Sequence, residues 1–434
     1  MDILGLDIGT STVSAVVLRD GRAEAAVTRA NDALLPGRPA WERAQDPRRI
    51  LELALDAVNG LLGRFPSVAR IGVTGQQHGI VYLDASGSPV SPLYTWQDGR
   101  GSLPFPGGGS YVSHLSTLTG RPLATGFGMV THYYNLQNGL VPKNAAVFCT
   151  IHDYAAMTLA GLTRPRVDAS DAASFGLFDA EAGRFDLTAV RAAGIDPAIL
   201  PDLSDGGCLG TGPAGAAVYP AIGDNQASFI GATGGRPGCM LVNLGTGGQF
   251  SAFSPIPLRC AGLETRPFPL GGYLLAGSSL CGGRAYALLE NFFREVAGMA
   301  AGAPVPSCYG AMERLVERSP VPEIIPRIDP RFQGTREDPS LRGAIEGLDP
   351  ENFRPLPLIY GMMRGMAGEL YGMYEKYRDA GGSAGQLFGS GNGLRKNAAL
   401  CRIVEETFGA PMTLSANEEE AACGAALFAA SHRR

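Results

Sequence analysis

Two short stretches of this chain carry residues suited to gripping phosphate. Leu6-Asp7-Ile8-Gly9-Thr10 follows an apolar run, and Val242-Asn243-Leu244-Gly245-Thr246 follows another in the second half. A Gly-Thr turn between strands aims backbone N–H groups and a hydroxyl at one place, which suits phosphate oxygens. Two such turns in similar halves predict a pair of clamps on one polyphosphate. Only the first carries a carboxylate, Asp7. A Mg2+ ion on a nucleotide keeps several waters and needs one or two carboxylates, so Asp7 is the metal candidate. Alone it could equally close a hairpin turn; the matching second turn favours the phosphate reading.

Gly223-Asp224-Asn225-Gln226 follows the apolar stretch 218–222. A kinase acting on a hydroxyl needs a carboxylate within hydrogen-bond reach to take its proton. Asp224 is therefore the candidate base, with an ordinary Gly-Asp turn as the alternative. Gly75-Gln76-Gln77-His78-Gly79 and Thr95-Trp96-Gln97-Asp98-Gly99-Arg100 are dense in donors and acceptors and include one aromatic. Planar polar groups bridge sugar hydroxyls, and a ring packs on the C–H face, so Gln77, His78, Trp96 and Asp98 are sugar candidates. Each also has a structural reading: a satisfied histidine, a packed indole, an Asp98–Arg100 ion pair. Asp153, in Ile151-His152-Asp153-Tyr154, is read first as a helix cap and second as a sugar contact. Gly389-Ser390-Gly391-Asn392-Gly393 separates a strand from a helix, where backbone can approach an adenosine closely; it fits neither the Rossmann nor the P-loop pattern, and a plain strand-to-helix turn is the equal alternative.

These residues need α/β elements to position them. Strands are predicted at 3–6 and 13–18, and a helix opens at Asp46-Pro47, with Asp as cap and Pro in the first turn. Further strands are expected at 71–74 and 80–83, then a turn at 84–87 and an irregular loop at 104–109. In the second half, strands are predicted at 240–244, 273–276 and 387–390. Helices are predicted at 282–296, 358–380 and 397–408, and a last one from Asn417 with Glu420 at the capping-box position. Residues 327–338 read as a surface loop and Arg433-Arg434 as a solvated tail. A boundary is expected near 228–235.

The bulk composition narrows the classes. A chain of 434 residues with 45% hydrophobic content can bury two or three cores. A net charge of −5 without a basic stripe argues against nucleic acid and acidic membranes. No apolar run approaches the ~20 residues of a membrane span. Eight cysteines without a C-x-x-C pair argue against zinc. With no leader-like start, they predict reduced thiols in a cytoplasmic protein. The sequence leaves a homodimer open.

Taken together, the two Gly-Thr segments, Gly223-Asp224-Asn225-Gln226, Gly389-Ser390-Gly391 and the helix around 420–426 resemble the FGGY family of carbohydrate kinases, in the actin/hexokinase-like superfamily. The resemblance spans nearly the whole chain. It implies an α/β protein of two ribonuclease-H-like domains with a cleft between them. Residues 1–230 would form the sugar-binding domain, with the first phosphate turn and the base, and 231–434 the nucleotide-binding domain. It implies an ATP-dependent kinase using Mg2+. Asp224 matches the catalytic base and Asp7 the metal-associated carboxylate. Thr10 and Thr246, with their neighbours Ser11 and Gly245, match the phosphate loops. Gly389, Gly391 and Asn392 match the adenosine loop, and Gln77, His78, Trp96 and Asp98 the sugar pocket. The stretches 75–79, 95–100, 124–128, 150–154 and 171–174 resemble family members that phosphorylate the terminal primary hydroxyl of sedoheptulose. Xylulose kinases share two of those stretches, so xylulose or another ketose or polyol is the alternative acceptor. A non-catalytic sugar sensor is the distant one. Gly-Thr-Gly-Gly in place of Gly-Thr-Ser, and Gly-Ser-Gly-Asn in place of three glycines and an alanine, depart from many relatives.

Overall fold

The computed structural model describes residues 1–335, 338 and 340–432; Arg433-Arg434, and Arg336 and Glu337 of the predicted loop, lie outside them. The chain forms two compact units. The first comprises 1–235, 266–272 and 417–434, and the second 236–265 and 273–416.

In the first unit, strands β1 (Asp2–Ile8), β2 (Thr12–Arg19) and β3 (Arg22–Ala30) run antiparallel in succession. Helix α1 (Pro47–Leu62) leads to β4 (Val68–Gly75), which lies parallel to β1. Asp46 caps α1 by accepting the Arg48 and Arg49 N–H groups, and Pro47 occupies its first position, as the sequence predicts. Short strands 217–218 and 222–223 pair parallel to β4. Helices α2 (Ile151–Leu159), α3 (Ala169–Ser174) and α4 (Asp224–Thr233) complete the elements around the site. One apolar core joins Leu4, Leu6 and Ile8 of β1 to Ile50, Val58 and Leu61 of α1 and Ile71 and Val73 of β4.

The second unit repeats this plan. Strand β5 (Cys239–Leu244) pairs antiparallel with β6 (Gly248–Ser254). The sheet order is β7 (Glu264–Pro267), β8 (Tyr273–Ser279), β6, β5, β9 (Gln386–Ser390) and β10 (Met412–Leu414). Strand β9 lies parallel to β5, as β4 does to β1. Both units therefore carry a hairpin with a parallel strand beside its first arm, the ribonuclease-H-like arrangement. Helices α5 (Gly282–Ala301), α6 (Pro355–Asp379) and α7 (Ala398–Phe408) flank this sheet.

The C-terminal helix, Glu420–Ser431, packs in the first unit. A Cβ added at Gly5 of β1 would lie 1.8 Å from the Ala422 carbonyl oxygen, and one at Gly72 of β4 1.9 Å from that of Ala425. Backbone here touches backbone, which explains the run of small residues in this helix.

Three local expectations are corrected. Thr150, not Asp153, caps α2, by accepting the Asp153 N–H. Asn417 does not start the last helix: its side chain donates to the Gly231 carbonyl at 2.9 Å, and the helix begins at Glu420 without a side-chain cap. Within the predicted loop, 327–329 form a short strand against 344–346.

Candidate active site

Asp7 is the penultimate residue of β1 and Asp224 opens α4, so each carboxylate sits where strand or helix geometry fixes its backbone. The N-terminus of a helix also favours negative charge. Dense protein around Asp7 pushes its carboxyl up to about 7, and the charges of Asp224 and Glu419 add to the rise. Burial also raises Asp224; the positive charge of Arg266, then His152, opposes it, as do the backbone N–H groups of Asn225 and Gln77. The Asn225 N–H reaches Asp224 Oδ1 at 2.7 Å.

The first Gly-Thr turn is tied into a ring of hydrogen bonds. Thr10 Oγ1 donates to Gln76 Oε1 (3.1 Å), Gln76 Nε2 to Gln45 Oε1 (2.9 Å), and Gln45 Nε2 to the Thr10 carbonyl (3.0 Å). The indole of Trp96 is 40% exposed and donates to Thr10 Oγ1 at 3.0 Å, so a sugar candidate and a phosphate candidate are linked directly. Ser11 is exposed beside them.

His78 takes a left-handed backbone, with φ of 72°. Its ring stacks on Phe127 at 4.6 Å, and Nδ1 lies 2.7 Å from the Ser174 carbonyl. A carbonyl can only accept, so Nδ1 carries the proton and Nε2 is the basic nitrogen of the neutral ring.

Asp98 and Gln77 differ from their expected role. Asp98 is fully buried and accepts from Arg100 Nε (2.6 Å), Arg100 Nη2, the Arg100 N–H and the Arg43 N–H (3.1 Å each). Four donors saturate a carboxylate, so Asp98 anchors Arg100 instead of presenting an oxygen to a ligand. Arg100 in turn stacks over Tyr94 and bonds Asn135. Gln77 is buried as well. Its Nε2 donates to the Ser170 carbonyl at 3.1 Å, and its Oε1 accepts from Arg266 Nη1 at 2.9 Å. Both side chains are engaged by neighbouring protein groups.

Sequence reasoning missed Arg266 and the pairing of His152 with Asp171. His152 Nε2 lies 2.7 Å from Asp171 Oδ2, both fully buried, and His152 Nδ1 has no hydrogen-bond partner among the described residues. Burial drives the Asp171 carboxyl well up, with the charges of Asp168 and Asp224 adding, and drives the His152 imidazole down. The sequence carries no local signal for this contact, since the two residues lie 19 positions apart.

In the second unit, Gly245 and Thr246 lie in the β5–β6 turn, where the Gly245 N–H donates to the Gly247 carbonyl at 3.0 Å. Gly282 and Gly283 press onto this turn; a Cβ at Gly283 would lie 2.4 Å from the Gly245 oxygen. The start of α5 thus braces it. A cavity of about 260 Å3 opens there, lined by Asn243, Gly245, Thr246, Gly247, Gly248, Gln249, Ser278 and Ser279. Its lining has hydroxyls, amides and glycine backbone but no acidic side chain, which fits phosphate oxygens. Gly389, Gly391 and Asn392 are outside that lining. They adjoin it through Asn243, whose Nδ2 donates to Ser390 Oγ at 2.8 Å, and Gly391, whose φ of 88° and contact with the Leu244 carbonyl both require glycine. No cluster of three or more metal-ligating His, Cys, Asp or Glu side chains occurs among the described residues. Mg2+ on a nucleotide needs only one or two carboxylates beside water and phosphate; Asp7, raised first by burial and then by Asp224 and Glu419, is the carboxylate whose charge a cation would relieve.

Comparison with known proteins agrees with this architecture. Residues 2–211 match the model of the FGGY family of carbohydrate kinases, N-terminal domain, and residues 240–432 that of its C-terminal domain. The chain belongs to the FGGY family and is a carbohydrate kinase. It is similar to the sedoheptulokinase of Homo sapiens, at 28% identity over 98% of this chain and 96% of the relative. It is also similar to the xylulose kinase of Bacillus subtilis (strain 168), at 25% identity over 99% of this chain and 87% of the relative. Among solved structures, the xylulose kinase from Rhodospirillum rubrum superposes with a TM-score of 0.86 at 23% identity, over 99% of this chain and 89% of that one. No helix among the described residues is long and apolar enough to cross a membrane.

Proposed function

We propose that this kinase transfers the γ-phosphoryl group of ATP to the terminal primary hydroxyl of a ketose, with sedoheptulose as the acceptor. The observation that carries the proposal is Asp224 at the start of α4, set among the Gln77 and Asn225 N–H groups, Arg266, His152 and Asp7. As the hydroxyl oxygen bonds to the γ-phosphorus, its proton passes to the Asp224 carboxylate. The bond from that phosphorus to the β–γ bridging oxygen breaks, and its electron pair leaves with ADP. Thr10, Ser11, Gly245 and Thr246 bind phosphate oxygens, and Gly389, Gly391 and Asn392 give the adenosine a close backbone approach. Asp7 would hold Mg2+, which would supply positive charge against that developing on the phosphates. His78, through Nε2, accepts from a sugar hydroxyl, and the exposed face of Trp96 packs on the sugar's C–H face. Gln77 and Asp98 hold these contacts in place from behind.

Sedoheptulose is supported by the near full-length similarity to a sedoheptulokinase. Xylulose is the second reading, favoured by similarity over 99% of the chain to a xylulose kinase. A coupled ADP-release assay with sedoheptulose, xylulose, ribulose and glycerol separates them. The highest kcat/KM is expected with sedoheptulose. Preference for another acceptor would replace the substrate, and ADP release with none of a wide sugar panel would overturn the kinase reading.

A further inference from the structure

Arg266 comes from a part of the chain where no motif drew notice. Strand β7 begins in the second unit, but Arg266–Gly272 belongs to the first. This excursion is a built turn: the Phe268 N–H donates to the Gly272 carbonyl at 3.0 Å and the Gly271 N–H to the Phe268 carbonyl at 2.9 Å. Two attachments fix it to α4, the helix that Asp224 opens. Phe268 meets Phe229 edge-on, with ring centres 5.7 Å apart, and the buried Gln226 donates to the Pro267 carbonyl at 3.2 Å.

The Arg266 side chain is delivered buried, at 8% exposure, with Nη1 2.9 Å from Gln77 Oε1. Gln77 is the residue whose other contacts define the base. Its Nε2 is held by the Ser170 carbonyl, and it lodges so closely on Gly223 that a Cβ there would lie 2.0 Å from Nε2. Its own N–H favours the ionised form of Asp224. The charged or titratable groups felt around Asp224 are Arg266 from β7, His152 from α2, Asp171 from α3 and Asp7 from β1. Of these, only Arg266 is a permanent cation.

We propose that Arg266 is a positioning residue for phosphoryl transfer: its guanidinium locks Gln77 against Gly223, thereby sets the Asp224 carboxylate, and lends that carboxylate a fixed positive charge. Planarity matters as well as charge, because one guanidinium must satisfy the Gln77 oxygen while its charge faces the carboxylate. The inference rests on the reading of Asp224 as the base.

The test is steady-state kinetics on the full chain with its best sugar. Arg266→Met keeps much of the volume and removes charge and donors. It should lower kcat by about 10²-fold, as expected for a misplaced reacting group, with KM for ATP held within about twofold. Arg266→Lys restores the charge and a donor without the planar fork and should recover part of that loss, at least about threefold; added guanidinium ion should restore an Arg266→Ala variant further. In a double-mutant cycle, Arg266→Met with Gln77→Ala should cost little more than the worse single change, because the two act as one unit. Additive losses, wild-type kcat in Arg266→Met, or a lysine variant no better than methionine would overturn the proposal. If the methionine variant does not fold, the lysine variant and the Gln77→Ala variant, both milder, decide it by whether they lower kcat at unchanged KM for ATP. Asp224→Asn, run alongside, tests the underlying reading separately. It should lose about 10²–10⁴-fold in kcat, and near-normal turnover there would remove the base whatever Arg266 does.

Discussion

At the scale of single residues, the site keeps carboxylates where they destabilise the ligand-free protein. Asp7 has its carboxyl raised to about 7, by burial first and then by Asp224 and Glu419, against an ordinary value of 3.8. A carboxyl raised on folding makes the folded state bind the extra proton. Stability therefore falls as pH climbs from the unfolded value toward the folded one and levels off above it. For Asp7 that window runs from about pH 4 to about pH 7. Asp7→Asn removes the charge with little change of shape. Without divalent metal, it should raise the melting temperature at about pH 8, by an amount worth a few kcal/mol at most, and the gain should shrink toward about pH 4. The same variant should lose Mg2+-ATP turnover more than sugar binding. An unchanged melting temperature at alkaline pH would mean that Asp7 carries no such strain. Asp7 and Asp224 are legible as candidates because each carboxylate stands beside a glycine turn, a setting that a plain turn shares. Arg266 was not legible: its meaning lies in Gln77, 189 positions away, and a lone arginine in a strand gives no local signal. Asp98 misled for a related reason. A conspicuous polar motif looks the same whether it faces a ligand or, as here, neutralises a buried arginine.

At the scale of elements, hairpins and capped helices were readable because their signals are local. The Gly-Thr turns fixed the ends of β1 and β5, and Asp46-Pro47 fixed the start of α1. The last helix was predicted to start three residues early because Asn417 and Glu420 imitate a capping box, whereas Asn417 is drawn to the Gly231 carbonyl. What that helix packs against is a matter of close backbone contact. Gly72 on β4 leaves room for Ala425, whose oxygen a Cβ would meet at 1.9 Å. Gly72→Ala should therefore overpack a rigid backbone seat and cost about 1–3 kcal/mol or more. Gly60, exposed in α1 with nothing within 4 Å of an added Cβ, provides the contrast. There alanine should be neutral or stabilise by about 0.5–1 kcal/mol, since glycine costs conformational entropy in a helix. Denaturant melts of both variants test the pair. Equal effects would show that the seat yields, and that the small residues of the last helix are not there for close approach.

At the scale of the whole molecule, the internal repeat gives each unit the same hairpin with a parallel strand beside it, yet the units are not two consecutive halves of the chain. The C-terminal helix completes the first unit: Ala422, Cys423, Ala425, Ala426, Phe428 and Ala429 are buried. Arg70 of β4 holds its end by donating from Nη1 to the carbonyls of Ala429 (2.8 Å) and Ala430 (3.0 Å). A fragment ending at Gly235 would keep all the strands of the first sheet but expose the face of β1, β4 and α4 that this helix covers. It would also leave the Arg70 cation without those carbonyls. Uncovering that apolar face is costly and draws on the 5–15 kcal/mol that typically holds a whole domain folded, while Arg70 exchanges fixed carbonyls for water. The fragment 1–235 should therefore melt without cooperativity or aggregate. The same fragment with 266–272 and 417–434 appended through flexible linkers should unfold in one sharp transition, because the small-residue helix can return to its glycine seat. If 1–235 alone gave a monomeric, sharply melting species, the helix would be an accessory to that unit, and the mixing of distant segments into one core would carry no stability.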